Sequence, residues 1–221
     1  MRRLVRRVGP CLLKPDRRSS PYQALVSAIA HQQLTGAAAR TILARLHALG
    51  GGRTCPSPEV LLALPVKSLR GAGFSAAKLL ALRDIASRAL DGRLPPRRVL
   101  ARWDDERIVE QLVQIRGVGR WTVQMLLIFT LGRRDVLPVD DYGVRNGFRL
   151  AYGLDRLPTP RELGDHGLRW APERSAAAWY LWRAVDLHRA DTLPVLPKPV
   201  RLRARAGGRA TPRPRSGART R

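Results

Sequence analysis

Two aspartates stand side by side in Pro138-Val139-Asp140-Asp141-Tyr142-Gly143, just ahead of a segment with helical spacing. A carboxylate fixed in a dry pocket can stabilise a developing cation, or orient and deprotonate water. A carboxylate at such a place can also cap a helix, by accepting from its first free N–H groups. On residue mechanics alone, both aspartates can be caps. Upstream, Ile115-Arg116-Gly117-Val118-Gly119-Arg120-Trp121-Thr122 offers a different chemistry. Gly117 and Gly119 can take positive φ, which makes a tight turn with open N–H groups. A helix follows at once, so its free N–H groups and positive dipole end point the same way and suit a phosphate. Arg116 and Arg120 add charge at the rim, and Ile115 and Val118 tie the turn to the core. A bare Gly-x-Gly between helices is equally an ordinary αα-corner.

Other reactive patterns lead nowhere. Ser75-Ala76-Ala77-Lys78 fits the Ser-x-x-Lys pattern of serine acyl enzymes, but the companion motifs are absent and Ser75 makes a good N-cap. His31, His47, His166 and His188 show no metal-ligand spacing, and His47 and His188 are expected to be solvated. Cys11 and Cys55 are the only cysteines, too few for a four-cysteine iron–sulfur site or a disulfide framework. A reducing compartment is the default.

Charge admits two readings, a polyanionic partner or an arginine-rich, GC-biased genome. Lys and Arg number 41 against 17 Asp and Glu in 221 residues, a formal net charge of +24. A field of that sign favours a polyanion such as nucleic acid. No apolar run approaches the roughly 18 residues a membrane span needs. The basic N-terminus lacks a long apolar segment and does not read as a signal peptide. A cytoplasmic, nucleoid-associated protein is expected.

These residues must be held by helices. Ser20-Pro21-Tyr22-Gln23 is a capping box, followed by Leu25, Val26, Ile29 and Ala30 at helical spacing. Thr35 is expected to cap a second helix that carries Ile42, Leu43 and Leu46. Ser57, Ser75, Asp104 or Asp105, and Thr159 start further helices. Helices are also expected from Arg120 to about Leu131, from near Tyr142, and from about Glu173 to His188. No stretch alternates with period two, so the fold class is all-α. Residues 1–20 read as a basic lead-in and 21–196 as the folded domain. Residues 197–221 read as a disordered Arg/Pro-rich tail able to bind phosphates non-specifically.

Three ordered blocks carry a resemblance. "LVQIRGVGRWTVQMLLIFTLGRRDVLPVDDYGVRNGF", "ALVSAIAHQQLTGAAARTI" and "WAPERSAAAWYLWR" resemble the helix–hairpin–helix DNA glycosylases. They look most like the 3-methyladenine branch, with its Gly-Arg-Trp-Thr hairpin end, Arg-x-Asp segment and Asp-Asp pair. The resemblance covers roughly residues 21–188. It implies a two-lobed helical fold and a base excision repair enzyme acting on double-stranded DNA as a monomer. The family's catalytic carboxylate falls on Asp141, which leaves Asp140 as the expected cap. Trp121 and Trp182 match the family's pocket aromatics, and Trp179 and Tyr180 rank below them. Met125 stands where the branch often has tyrosine, a departure that bears on pocket width and selectivity. Gln33 falls at the wedge position that fills the gap left by a flipped base. Gly117, Val118, Gly119, Arg116, Arg120 and Thr122 fall on the DNA-binding hairpin. His31 and Gln32 lie close enough to touch the pocket and carry no assigned role.

Some relatives place a Schiff-base lysine just after the hairpin. Here Trp121 occupies that position, which implies a monofunctional enzyme that uses water and leaves an abasic site. No cofactor or iron–sulfur cluster is expected, and a structural monovalent cation at the hairpin is compatible. Two competing readings are a non-catalytic helix–hairpin–helix DNA-binding protein and a glycosylase for deaminated or oxidised bases. The aspartate pair and the two tryptophans weigh against the first. The missing lysine weighs against an oxidised-base lyase.

Overall fold

The structure is a computed structural model and describes residues 1–34 and 36–190. Among these residues every regular element is helical. Thr35 and the basic tail lie outside the described residues, as do the expectations attached to them.

The predicted caps are formed. Ser20 accepts from the Gln23 N–H while the Gln23 side chain accepts from the Ser20 N–H, and Pro21 opens helix α2 (Pro21–His31). Ser57 caps α4 (Pro58–Ala63), Ser75 caps α6 (Ala76–Leu90), and Asp104 rather than Asp105 caps α8 (Asp105–Leu112). Thr159 and Glu162 form a second capping box on α11 (Pro160–Gly167). Each such cap is worth about 1 kcal/mol, enough to set where a helix starts but not to hold the fold together.

Packing does that, in two lobes. The larger core draws on α2, α4, α6, α8 and α9 (Arg120–Leu126), together with α3 (Gly36–Leu49) and α5 (Val66–Ala72). The smaller core joins α10 (Tyr142–Tyr152), α11 and α12 (Arg174–Arg189) through Val144, Phe148, Leu163 and Leu181. Trp182 packs against both cores and so sits at the seam. Helices α10 and α12 cross with their backbones almost touching. A Cβ at Gly147 would fall 1.9 Å from the Leu181 carbonyl oxygen, so only glycine permits the crossing.

Three elements depart from the sequence expectation. The basic lead-in contains a helix, α1 (Arg2–Val8), whose Leu4 is 4% exposed and packs with Tyr180 and Ala184 of α12. Burying one leucine yields about 1.5–3 kcal/mol, so the segment belongs to the smaller lobe. Helices α5 and α7 (Arg97–Leu100) start after Pro65 and Pro96 without a side-chain cap, which removes the usual start signal. The helix expected from Arg120 to about Leu131 is α-helical only to Leu126 and continues as a π-helical turn, Leu127–Leu131.

Candidate active site

The hairpin joins α8 to α9. Gly117 takes φ +75°, and a Cβ there would lie 3.0 Å from Ala81 Cβ. Gly119 instead is extended (φ −97°, ψ 173°) and forms an N-cap without a side chain. The expectation of positive φ at both glycines therefore holds only for Gly117. Gly119 leaves the first-turn N–H groups of α9 uncovered by any capping side chain, as an anion site requires. Val118 is buried and anchors the turn.

Three hairpin residues also have partners within the protein. The Arg116 N–H donates to Asp84 Oδ2 (2.7 Å), although its side chain is exposed. Arg120 makes a bidentate pair with Glu106 (2.8 and 2.7 Å). Thr122 is 2% exposed and accepts from Gln32 Nε2 at 3.3 Å, so it braces the hairpin from inside. Exposed ion pairs are worth at most about 1 kcal/mol, so a phosphate can compete with Glu106 for Arg120.

Asp141 has three donors. Its Oδ1 accepts from the Val144 N–H (2.7 Å) and from Trp182 Nε1 (2.9 Å), and its Oδ2 accepts from Trp121 Nε1 (2.7 Å). The N-cap of α10 is thus Asp141, not Asp140 as expected, and Asp140 is exposed. The cap bond and the two indoles together fix one rotamer of the carboxylate. Gly143 makes room for this. A Cβ there would lie 2.9 Å from Trp182 Cδ1 and 3.0 Å from Asp141 Oδ1.

Trp121 joins this carboxylate to a cleft of about 440 Å³. Trp121, Met125 and Phe129 line it from the α9 side, Ser27 and His31 from α2, and Asp16 from the segment ahead of α2. Trp182 stacks on Phe129, with ring centroids 5.6 Å apart, and so supports that wall. The π-helical turn leaves carbonyls for the N-terminal segment. Phe129 O accepts from the Asp16 N–H (2.7 Å), and Arg97 grips Thr130 O together with Asp16 O (2.8 Å) and Ser19 O (2.7 Å). Hydrogen bonds from the Ser19 hydroxyl, and then from the Arg18 N–H, hold the Asp16 carboxyl below the usual carboxylate range. The cleft therefore contains a carboxylate that stays ionised.

Gln33 is exposed at the turn after α2 with φ +57°. Neighbouring Gln32 turns inward and donates from Nε2 to Gly117 O (2.9 Å) as well as to Thr122. The Arg-x-Asp and Arg-Ser motifs serve each other. Asp135 pairs with Arg174 (2.6 and 2.8 Å), and Ser175 bonds Val136 N–H (3.0 Å) and Arg133 O (2.7 Å), which fastens α12 beside the aspartate loop. The Cys55 thiol is pushed up to about 11 by burial and is not poised as a nucleophile. Among the described residues, no group of three or more His, Cys, Asp or Glu is placed to hold a metal ion.

Residues 26–173 match the family model of the HhH-GPD superfamily base excision DNA repair proteins. The chain belongs to this superfamily. It falls in the 3-methyladenine DNA glycosylase branch. It is 41% identical over 201 residues to DNA-3-methyladenine glycosylase 1 of Schizosaccharomyces pombe, covering 89% of this chain and 86% of that protein. The solved structure of a 3-methyladenine DNA glycosylase from that yeast, in complex with abasic DNA, superposes with TM-score 0.77 at 40% identity. It covers 82% of this chain and 89% of that one. A DNA-3-methyladenine glycosidase from Bacillus halodurans gives TM-score 0.70 at 35% identity, covering 80% of this chain and 81% of that one. The superfamily's two-lobed helical fold, with the hairpin, the aspartate loop and the cleft on contiguous elements, is the fold described above.

Sequence reasoning missed Asp16, Phe129 and Gly143, and left His31 and Gln32 without roles. Asp16-x-x-Ser19 is readable as a side-chain turn, but nothing in the sequence says that it reaches Phe129. Gly143 is a small residue whose meaning depends wholly on where Trp182 arrives.

Proposed function

We propose that this chain hydrolyses the N-glycosidic bond of alkylated bases in duplex DNA, of the 3-methyladenine and 7-methylguanine type, with Asp141 and water, leaving an abasic site. Branch membership supports the substrate class, and a relative solved on abasic DNA supports duplex DNA as the partner. The single observation that carries the mechanism is the Asp141 carboxylate, held by two indole N–H groups, one of them from Trp121, which lines the aromatic cleft.

The target base is first extruded from the stack. It enters the cleft between the α9 wall and α2, where the aromatic faces of Trp121 and Phe129 favour an electron-poor or cationic ring. Met125 adapts to the ring edge better than a rigid tyrosine would. As the base departs, the sugar gains oxocarbenium-like character. Asp141 stabilises that charge and orients the attacking water. The base is already a good leaving group, so one carboxylate and one water suffice.

The hairpin at Gly117, Val118 and Gly119, with Arg116, holds a backbone phosphate, and Gln33 fills the vacated position in the duplex. No lysine can form a Schiff base from the position of Trp121, and the Lys78 ammonium is engaged with two backbone carbonyls. The enzyme is monofunctional, without a lyase step. It acts as a monomer on DNA in the cytoplasm, at the nucleoid. Release of methylated base from duplex DNA, followed by strand breakage only after alkali, tests both parts. Strand breaks without alkali would overturn the hydrolytic mechanism.

A further inference from the structure

Helix α6 contributes no side chain to the cleft or to Asp141, yet one face of it supports both loops that would meet DNA. Lys78 Nζ donates to Ala30 O (3.0 Å) and Gln32 O (2.8 Å) at the end of α2. Ala81 lies beneath Gly117. Asp84 accepts from the Arg116 N–H at 2.7 Å, and Arg88 donates to Gln114 O at 2.9 Å. Positions 78, 81, 84 and 88 follow helical spacing, so they share a single face.

Gln32 completes the connection. Its carbonyl accepts from Lys78, while its side-chain amide donates to Gly117 O (2.9 Å) and Thr122 Oγ1 (3.3 Å). The next residue, Gln33, sits in the left-handed region, which a non-glycine residue keeps only when its surroundings over-determine it. A side chain that enters a duplex must push against base stacking, so its backbone needs rigid support.

We propose that Lys78 is a positioning residue for base extrusion: with Gln32 it locks the Gln33 turn to the hairpin, so that seating the hairpin on a phosphate fixes where Gln33 enters the duplex. This rests on the reading of Gln33 as the wedge. It also gives the Ser75-x-x-Lys78 pattern a use. Ser75 starts α6, and Lys78, one turn in, braces the wedge.

A merely structural lysine would affect every substrate alike. A lysine that serves extrusion matters only when extrusion is costly. Single-turnover excision of 7-methylguanine is measured on two duplexes, one with cytosine opposite the lesion and one with an abasic analogue there. Lys78→Met is expected to slow excision from the paired duplex by about tenfold or more. On the abasic-opposed duplex, where extrusion is cheap, the effect shrinks to about twofold or less. Lys78→Arg is expected to restore the paired rate. Equal losses on both duplexes for Lys78→Met would overturn the proposal. If Lys78→Met does not fold, Gln32→Leu carries the same comparison with the same two outcomes. Gln33→Ala separates the layers. Equal losses on both duplexes for Gln33→Ala would overturn the wedge reading and the proposal with it. A selective loss for Gln33→Ala beside an unselective loss for Lys78→Met would overturn the proposal alone.

Discussion

The indole N–H of Trp182 reaches Asp141 Oδ1 at 2.9 Å across Gly143, where an added Cβ would stand 2.9 Å from the Trp182 ring and 3.0 Å from that same oxygen. The absence of a side chain at Gly143 is thus a condition for the bond. Gly143→Ala is expected to displace the carboxylate and lower kcat by at least about tenfold, with KM for methylated duplex nearly constant. An equal rise in KM instead would mean that Gly143 serves binding.

Trp121 and Trp182 each give the carboxylate one N–H. A hydrogen bond to a charged group is worth about 1.5–3 kcal/mol, or roughly 10- to 150-fold in rate if expressed only in the transition state. Phenylalanine at either position keeps an aromatic ring and removes the donor. Both single variants are expected to fold and bind DNA with reduced kcat. Kinetics of the double variant should be less than multiplicative, because either loss frees the same carboxylate.

Arg120 is paired with Glu106, whereas the Arg116 side chain is exposed beside the hairpin. Arg116→Ala is expected to reduce the slope of log K against log salt by about one unit. Glu106→Gln is expected to release Arg120 and tighten non-specific DNA binding. Titrations by fluorescence anisotropy at several salt concentrations measure both, and weaker binding by Glu106→Gln would contradict the competition described.

In the smaller lobe, His166 packs among Phe148, Tyr152 and Trp170, and burial pulls its pKa down from 6.5 to about 4. The folded state therefore binds this proton less readily than the unfolded chain. Its contribution is fully present above pH 6.5 and is lost as pH falls toward 4. Denaturant unfolding between those limits should show stability declining as pH falls. His166→Phe is expected to flatten that part of the profile, and an unchanged slope would assign the decline to other groups.

Local signals carried most of the fold into the sequence. Ser20, Ser57, Ser75, Asp104 and Thr159 cap the helices they were expected to cap, because a cap is a relation among residues three apart. Helices α5 and α7 begin at prolines that provide no side-chain cap, and α1 depends on α12 to bury Leu4, so neither kind is visible locally. In the site, the aspartate pair and Trp121 were legible through the motif. Assigning the cap to Asp140 and chemistry to Asp141 treated the two roles as exclusive, yet Asp141 caps α10 through the oxygen that also meets Trp182. The contacts of Thr122 with Gln32 and of Arg120 with Glu106 were not legible in the motif. Long-range partners of that kind are fixed by packing, which spacing does not encode.

In the proposed mechanism the Asp141 carboxylate performs the chemistry. Asp141→Asn keeps the size of the side chain and an oxygen for the Val144 cap and Trp182, while removing the negative charge. Its single-turnover release of 7-methylguanine from duplex DNA, measured beside its affinity for an abasic duplex, is the most direct test. If that mechanism holds, the variant is a folded protein with near-normal affinity and a loss of excision of at least about a hundredfold. Excision at the wild-type rate would contradict it.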